Sequence, residues 1–414
     1  MKVSIIGLGY VGLPLALVAA QNRNLNVIGV DKDSKKVNSI KSGVCPIPED
    51  EFIADMFEKN RLEVTVNTAA SDIYIVCVPT PVRQKSLPDL SYIISAVRDI
   101  SQVVRDDDLV IIESTIYPGV CDEIVQPILE ESRKKVHLAH CPERINPGDK
   151  KWTVKNIPRV VGADSEEATK RALDFYTQIL DSKITPVSQL KAAEATKIME
   201  NTFRDINIAF ANEMAKSFYS LGIDVEEVIR GASTKPFAFM AHRPGIGVGG
   251  HCIAVDPYYM IEKGKEVGFD HEFLSLARKI NSRMPRFGLE IVQDALNEVK
   301  RPLNGTKILV LGLSYKPNVG DDRESPSYEL IKLLKQKNAI VKVFDPFFPE
   351  KSTTDSLEDG INESSCVILA TAHTSFLNPE LYSNIEVFVD GRNMMNKDAL
   401  KSMGIVYRGI GISN

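Results

Sequence analysis

The cysteine whose surroundings most favour chemistry lies in a glycine-rich segment. In GIGVGGHCIAVDP (245–257), four glycines precede Cys252, and Asp256 follows it by four residues. Glycines let backbone and substrate approach a thiol closely, which a buried structural cysteine does not need. The pattern therefore predicts that Cys252 is a nucleophile, with the adjacent His251 as a loop or substrate contact. The other five cysteines are typical of small buried hydrophobes.

A second set of polar residues lies in a helical stretch. Lys197, Asn201 and Arg204 are spaced i, i+4 and i+7, so they share one face of the helix. Two interpretations stay open. The face is either a solvated polar stripe or a charged line into a cleft, in which Lys197 lowers the thiol pKa or holds a water.

A glycine turn near the N-terminus predicts dinucleotide binding. Gly7, Gly9 and Gly12 form a G-x-G-x-x-G pattern between a β-branched run and a helical stretch, and Asp31 ends the next predicted strand. Gly7 makes the tight turn, Gly9 admits the pyrophosphate, and Gly12 allows close packing of helix and strand. An acid at Asp31 suits a ribose 2′-hydroxyl and repels a 2′-phosphate. NAD is therefore favoured over NADP.

Further polar residues follow the ends of other predicted strands, where ligand sites of parallel sheets gather. Glu143 and Arg144 occur in HCPERINPG, Thr80 in VPTP and Thr115 in STIYPG. The six histidines show no metal-binding spacing, so no metal site is predicted.

The segment LGLSYKPNVGDDRESPSYEL (311–330) lacks G-x-G-x-x-G, so it is not predicted to bind a second dinucleotide. Ser325 suits a helix N-cap and Pro326 the first helical position. Either a nucleotide diphosphate uses this helix start with charge from Lys316 and Arg323, or the segment is a solvated charged loop.

Short β-branched runs alternate with helical stretches before residue 140 and again after residue 307. A single long helical run spans about 187–221, and a further helical stretch spans about 271–299. Such alternation predicts an α/β protein with two doubly wound parallel sheets flanking a helical middle. The predicted domains are 1–186, 187–300 and 301–414. The long helix bridges domains and offers a surface to another subunit.

Composition excludes several classes of protein. The 414 residues carry 50 Lys and Arg against 55 Asp and Glu, a net charge of −5, without a basic cluster for nucleic acid. The sequence contains no uninterrupted run of about 18 apolar residues, so no membrane span is predicted. Six dispersed cysteines without a C-x-x-C pair predict reduced thiols in a cytoplasmic protein.

Taken together, seven segments resemble the UDP-glucose/GDP-mannose dehydrogenase family in its own order along the chain. They are GLGYVG, VPTP, STIYPG, CPERINPG, AEATKIMENTFRDINIAFANE, GVGGHCIAVDP and YKPNVGDDRESPS. The resemblance implies two Rossmann-like domains, a dimer formed through the long helix, and a four-electron oxidation by NAD of a UDP-sugar.

The resemblance also implies site residues. The catalytic set is Cys252, Lys197, Asn201, Asp256, Glu143 and Thr115. The NAD contacts are Gly7, Gly9, Tyr10, Val11, Gly12, Asp31, Thr80, Thr115, Glu143 and Arg323. The substrate contacts are Glu143, Arg144, Lys197, Asn201, Arg204, Arg243, Gly249, Cys252, Tyr315, Lys316 and Arg392.

Within that family, GGHCIAVDPYY and NTFRDINIAFANE resemble the UDP-N-acetylhexosamine branch, which supplies precursors for surface polysaccharide. The stretch KPFA (235–238) stands where the manno-specific enzymes usually carry HPR, so the gluco or galacto substrate is favoured. The alternatives are a UDP-glucose dehydrogenase, a two-electron dehydrogenase in which Cys252 is incidental, and a non-catalytic sugar-nucleotide sensor.

Overall fold

The computed structural model describes residues 1–48, 50–81, 89–145, 149, 151–250 and 253–413. The chain forms two compact units, neither of them continuous in sequence. The first contains Met1–Glu200 and Tyr258–Asp270, and the second contains Asn201–Pro257 and His271–Asn414. The division into domains at 186/187 and 300/301 stays a prediction.

The first unit is built on an eight-stranded sheet with the order β3-β2-β1-β4-β5-β6-β7-β8. Neighbouring strands are parallel except for β6 and β7, which pair antiparallel through Ala139 and Ala163. The sequence alternation predicted a parallel sheet, and it missed this reversal because the strand Arg159–Ala163 was not among the predicted strands. The strands are β1 (Lys2–Ile6), β2 (Asn26–Val30), β3 (Glu63–Thr65), β4 (Ile73–Val76), β5 (Leu109–Ile112), β6 (His137–His140), β7 (Arg159–Ala163) and β8 (Ile184–Pro186).

Helices cover both faces of this sheet. Alternate side chains of β4 enter different apolar clusters, Ile73 and Ile75 on one face and Tyr74 and Val76 on the other. A strand buried on both faces reads as a continuous apolar run, which is why the sequence identified it. The helices are α1 (Gly12–Ala20), α2 (Ser34–Lys41), α3 (Glu51–Lys59), α4 (Ser91–Ser101), α5 (Gln126–Glu130) and α6 (Glu166–Ile179), with a π-helix at Cys121–Val125.

The predicted long helix is present as α7 (Leu190–Leu221), with 32 residues. Its first part belongs to the first unit and its remainder, from Asn201, to the second. It is followed by α8 (Val225–Ala232), α9 (Asp256–Glu266), α10 (Glu272–Ser282) and α11 (Met284–Glu298). The helical stretch predicted at 271–299 is therefore two helices, which separate at Arg283 just before Pro285, a residue without a backbone N–H.

The second unit contains a five-stranded parallel sheet with the order β10-β9-β11-β12-β13. Its strands are β9 (Lys307–Leu311), β10 (Ile340–Phe344), β11 (Cys366–Leu369), β12 (Val387–Asp390) and β13 (Val406–Gly409). The helices that follow α11 in this unit are α12 (Pro326–Gln336), α13 (Leu357–Asn362) and α14 (Lys397–Ser402), with short 3-10 turns at Pro349–Lys351, Thr374–Phe376 and Pro379–Tyr382. The side chain of Ser325 caps α12 and Pro326 begins it, which confirms the predicted helix start. In the part of the chain described, no helix combines the length and apolar character needed to cross a membrane.

Candidate functional site

The glycine turn joins β1 to α1 in the first unit. Gly7 has a φ of +92°, and a Cβ there would lie 2.7 Å from the carbonyl oxygen of Cys77. A Cβ at Gly12 would lie 1.9 Å from the carbonyl oxygen of Gly7, so both positions require glycine. A Cβ at Gly9 meets nothing within 4 Å. Gly9 thus faces open space beside the half-buried Tyr10 and Val11, and the turn has room for the diphosphate of a dinucleotide.

Asp31 follows β2 and lies beside this turn. Its carboxylate accepts the N–H of Leu8 at 2.9 Å and the ammonium of Lys36 at 2.8 Å. Burial raises the pKa of Asp31, but Lys36 and the N–H groups of Asp33 and Leu8 hold that pKa below its usual range. Asp31 is therefore an anion fixed next to the glycine turn, where the ribose of a dinucleotide would lie.

Three predicted residues follow three adjacent strands of the same sheet. Thr80 comes after β4, Thr115 after β5 and Glu143 after β6. Thr80 and Glu143 are buried and Thr115 is half-buried. Since parallel strands end at one edge of a sheet, the structure brings all three to the carboxyl edge.

Lys197, in the first-unit part of α7, adds a buried cation to this edge. Burial raises the pKa of Glu143, while Lys197 and Arg159 act in the opposite direction. Burial lowers the pKa of His140 to about 3, and Lys197 acts in the same direction. The edge therefore combines an ammonium with a carboxyl group that binds protons more readily than usual, as acid–base chemistry requires.

Behind Glu143 lies a buried network that the sequence analysis missed. The guanidinium of Arg159 is 2.7 Å from Glu113, which also accepts the hydroxyl of Tyr176 at 2.5 Å. Glu113 and Tyr176 are 0% exposed and Arg159 is 1% exposed. Arg159 begins an apolar strand, and a lone arginine at a strand end gives no sequence signal for burial. The backbone carbonyl of Glu113 also accepts the N–H of Glu143 at 3.3 Å.

Arg144 takes a different partner from its neighbour Glu143. Its guanidinium donates Nε to Glu200 at 3.1 Å and Nη2 to Glu200 at 2.5 Å, and donates Nη1 to the carbonyl of Pro158 at 2.9 Å. This two-pronged pair fixes the guanidinium against α7. The predicted substrate contact of Arg144 stays a prediction.

In the second unit, Asn201 on α7 donates its side-chain amide to the carboxylate of Asp256, the first residue of α9. Asp256 is buried and Asn201 is half-buried. Arg204, one turn further along α7, is exposed. Arg243 is also exposed and lies 3.6 Å from Glu226. The structure thus pairs Asn201 with Asp256 and leaves Arg204 and Arg243 at the surface of this unit.

The glycine-rich loop packs on the second sheet. The N–H of Gly250 donates to the carbonyl of Arg323 at 3.0 Å, and a Cβ at Gly249 would lie 2.8 Å from the Cβ of Tyr315. Arg392 donates to the carbonyl of Gly247 at 3.3 Å. The loop therefore contacts three predicted substrate or cofactor residues, Arg323, Tyr315 and Arg392. Glycines at the points of contact allow this close approach because they carry no side chain.

A chain of buried amides holds the start of this loop. The side chain of Asn212 on α7 accepts the N–H of Gly245 at 2.9 Å and donates to Asn281 on α10 at 2.8 Å. Asn281 donates to Asp205 at 2.8 Å, and Arg278 lies 2.6 Å from Asp205. The helical period placed these residues on helices but gave no sign that they are buried together.

Asp345, at the end of β10, occupies the position that Asp31 has in the first unit. It accepts the N–H groups of Leu313 and Ser314 at 2.6 and 2.9 Å, and His373 lies 3.2 Å away. The other ring nitrogen of His373 accepts the N–H of Asn318 at 2.9 Å, so the ring proton is donated to Asp345. Asp345 therefore supports the loop that carries Tyr315 and Lys316, both half-buried.

Arg323 and Arg392 differ in their surroundings. Arg323 pairs with Asp321 at 2.5 Å and is largely exposed. Arg392 is half-buried, donates Nε to the carbonyl of Ala370 at 2.7 Å, and has a buried Nη2 without a hydrogen-bond partner among the described residues. Burial lowers the pKa of Arg392 to about 10, and Asp390 acts in the opposite direction. Arg392 therefore remains a cation at neutral pH, and its Nη2 is available to donate a hydrogen bond to a ligand.

Cys252 and His251 lie outside the described residues, so the nucleophile and its neighbour stay predictions. In the described ranges, no three His, Cys, Asp or Glu side chains are grouped to hold a metal ion.

Three domain descriptions of the UDP-glucose/GDP-mannose dehydrogenase family match this chain. The NAD binding domain matches residues 1–180, the central domain 191–283, and the UDP binding domain 309–397. Together they cover most of the sequence.

Individual relatives extend the similarity over nearly the full length. A UDP-N-acetyl-D-mannosamine dehydrogenase of Methanococcus maripaludis is 35% identical, over 99% of this chain and 97% of that protein. A UDP-N-acetyl-D-glucosamine 6-dehydrogenase of Pseudomonas aeruginosa is also 35% identical, over 91% of this chain and 92% of that protein. The solved structure of a UDP-D-ManNAc dehydrogenase from Pyrococcus horikoshii aligns over 100% of both chains with a TM-score of 0.90 and 34% identity.

Proposed function

This chain belongs to the UDP-glucose/GDP-mannose dehydrogenase family and is an NAD-dependent oxidoreductase of UDP-sugars, and from that premise we propose that it oxidises the C6 hydroxymethyl group of a UDP-N-acetylhexosamine to a carboxylate. The observation that carries the proposal is the pairing of Asn201 with Asp256. Asn201 lies one helical turn after Lys197 on α7, and Asp256 follows Cys252 by four residues in the chain. The pair therefore connects the helix of the proposed ammonium to the segment of the proposed nucleophile.

The turn of Gly7, Gly9 and Gly12 beside Asp31 would hold NAD, and two NAD molecules bound in succession would each accept one hydride. The C6–H bond first breaks as the hydride leaves, the hydroxyl proton passes to water, and an aldehyde forms. The Cys252 thiolate then adds to the aldehyde carbon, which gives a thiohemiacetal that retains one C–H bond.

Loss of the second hydride and the hydroxyl proton turns the thiohemiacetal into a thioester. Water then attacks the thioester carbon, and the carbon–sulfur bond breaks to release the carboxylate and the thiol. In this proposal Lys197 stabilises the oxyanions that develop, and Asp256, held by Asn201, positions the water. Glu143 and Thr115 act nearby, since Glu143 has a pKa raised by burial and can hold a proton.

In this proposal UDP is bound by the second unit. Arg392 offers a half-buried cation whose buried Nη2 has no hydrogen-bond partner among the described residues. Gly249 approaches Tyr315 closely, and Lys316 is the next residue after Tyr315 in the chain. The sugar nucleotide is the proposed partner of these groups.

The epimer of the sugar is the finer part of the proposal. The relatives named for the manno and for the gluco substrate are equally identical to this chain, at 35%. The stretch KPFA (235–238) still favours the gluco or galacto epimer. In this proposal the protein acts in the cytoplasm, and its product serves as a precursor of surface polysaccharide.

A homodimer is also part of the proposal. Met199, Phe203 and Phe210 on α7 are 75%, 49% and 58% exposed. Apolar side chains of this size on one helix are typical of a surface that another subunit covers. Light scattering would give twice the mass of one chain, and Phe210→Glu would lower it.

The experiment is an assay with NAD and four substrates, namely UDP-glucose, UDP-GlcNAc, UDP-GalNAc and UDP-ManNAc, with products identified by mass. We expect two NADH for each N-acetylhexosamine consumed and an acid as product. One NADH for each sugar, or a preference for UDP-glucose, would contradict the proposal.

A variant separates the thiol mechanism from the overall activity. Cys252→Ala should bind the sugar nucleotide as the parent does and form essentially no acid. Cys45→Ala, which removes a half-buried thiol elsewhere, is the matched control and should retain activity. Acid formation by Cys252→Ala at a rate close to that of the control would refute the covalent route.

A further inference from the structure

Helix α9 contributes a buried tyrosine to the first unit. Tyr259 is 1% exposed, and its hydroxyl donates to the carbonyl oxygen of Thr80 at 2.5 Å. Thr80 lies in the turn after β4, the strand that pairs with β1 of the glycine turn. The hydroxyl therefore fixes the backbone of a turn at the carboxyl edge of the NAD-binding sheet, where such sheets bind their ligands.

The same helix contacts the next turn of that edge. The ring of Tyr259 meets the ring of Tyr117 edge-on, with 6.2 Å between centroids. The ammonium of Lys263 lies 5.6 Å from the centroid of Tyr117 and 2.7 Å from Glu123. Tyr117 and Glu123 belong to the segment that follows β5 and begins near Thr115. One helix thus holds the turns after two adjacent strands.

We propose that Tyr259 is a positioning residue for NAD, acting through its hydrogen bond to the carbonyl of Thr80. A packing role would need only the aromatic ring of Tyr259. Removal of the hydroxyl therefore distinguishes packing from positioning through the hydrogen bond. Removing it leaves a buried carbonyl without its partner, and the turn can then shift toward other donors. The inference rests on the bound cofactor and is independent of the proposed substrate and thiol chemistry.

The position of Tyr259 in the chain gives this contact a second consequence. Tyr259 follows Asp256 by three residues and Cys252 by seven, so the segment that carries the proposed nucleophile continues directly into the helix that holds the cofactor turn. Binding of NAD should therefore restrain α9, which Tyr259 joins to the turn of Thr80. We expect slower hydrogen exchange across α9 when NADH is bound to the parent, and a smaller effect in Tyr259→Phe.

The test compares Tyr259→Phe with Tyr258→Phe, which removes a hydroxyl from the neighbouring half-buried tyrosine. NADH binding is titrated by fluorescence without sugar nucleotide, and UDP binding by calorimetry. We expect Tyr259→Phe to raise the Kd for NADH by about 5- to 10-fold, the range expected for one lost buried hydrogen bond, with an unchanged Kd for UDP. Tyr258→Phe should alter neither.

An NADH affinity within twofold of the parent would overturn the proposal, as would an equal loss of UDP affinity. Lys263→Ala provides a second variant, at the half-buried contact of the same helix with Tyr117 and Glu123. Lys263→Ala should also weaken NADH binding, by a smaller factor than Tyr259→Phe does. Stronger NADH binding in Lys263→Ala would contradict the proposal. Because no measurement here involves sugar oxidation, failure of the proposed substrate would leave these results unaffected.

Discussion

The carboxylate of Glu194 accepts the backbone N–H of Gly119 at 2.6 Å, across 75 residues of sequence. Its other oxygen accepts the N–H of Cys121 at 2.8 Å. Glu194 is fully buried and precedes Lys197 by three residues on α7. The helix that supplies the ammonium therefore also fixes the segment that begins at Thr115.

Replacing Glu194 by Gln should destabilise the first unit. The two N–H groups need two acceptors, and the amide of Gln offers only one oxygen. We expect a loss of about 1–3 kcal/mol in the free energy of unfolding, measured by urea denaturation. The exposed Glu131→Gln is the control, and equal stability of the two variants would count against this role for Glu194.

The buried pair of Arg159 and Glu113 predicts non-additive mutants. Arg159→Met leaves a buried carboxylate without its cation, which should cost about 3–5 kcal/mol. Adding Glu113→Gln removes that charge, so the double variant should be more stable than Arg159→Met alone. Urea denaturation of both single variants and the double variant measures the coupling. Additive losses would show that the two groups act independently.

Asp345 predicts a loss of stability in acid. Burial raises its pKa, but the side chain of His373 and the N–H groups of Ser314 and Phe347 hold that pKa at about 2. A pKa below the unfolded value favours the folded state above pH 4, by about 2 kcal/mol, and the gain is lost as pH falls through 2. Asp345→Asn should therefore be less stable than the parent at neutral pH, with a difference that shrinks between pH 4 and 2.

The measurement for Asp345 is thermal or urea unfolding across that pH range. Asp355→Asn changes an exposed carboxylate of the same unit and serves as the control. A difference between the parent and Asp345→Asn that stayed constant from pH 7 to pH 2 would refute the assignment.

The charge of Asp31 predicts the choice of cofactor. Asp31→Asn keeps a side chain of the same size but removes the repulsion toward a 2′-phosphate and frees the ammonium of Lys36. The ratio of kcat/KM for NAD over NADP should fall at least about tenfold, or 1.4 kcal/mol. Lys36→Met should keep the preference of the parent. An unchanged ratio in Asp31→Asn would exclude Asp31 as the discriminating residue.

The sequence predicted the features that depend on local pattern. The glycine turn, the strands after it and the start of α12 at Ser325 each follow from a few neighbouring residues. The Glu113–Arg159 pair and the amides around Asn212 were missed because their burial depends on residues far apart in sequence. The break at Arg283 was missed because the helical period continues through it, and only Pro285 marks the boundary.

The discontinuity of the first unit has a consequence for synthesis of the protein. This unit is completed by Tyr258–Asp270, which follow more than fifty residues of the second unit. The ribosome must therefore translate the intervening residues of the second unit before Tyr259, the docking partner of Thr80, emerges from the exit tunnel. Until then the nascent first unit lacks the helix that packs against Thr80 and Tyr117. The apolar surface left exposed there is open to binding by a chaperone.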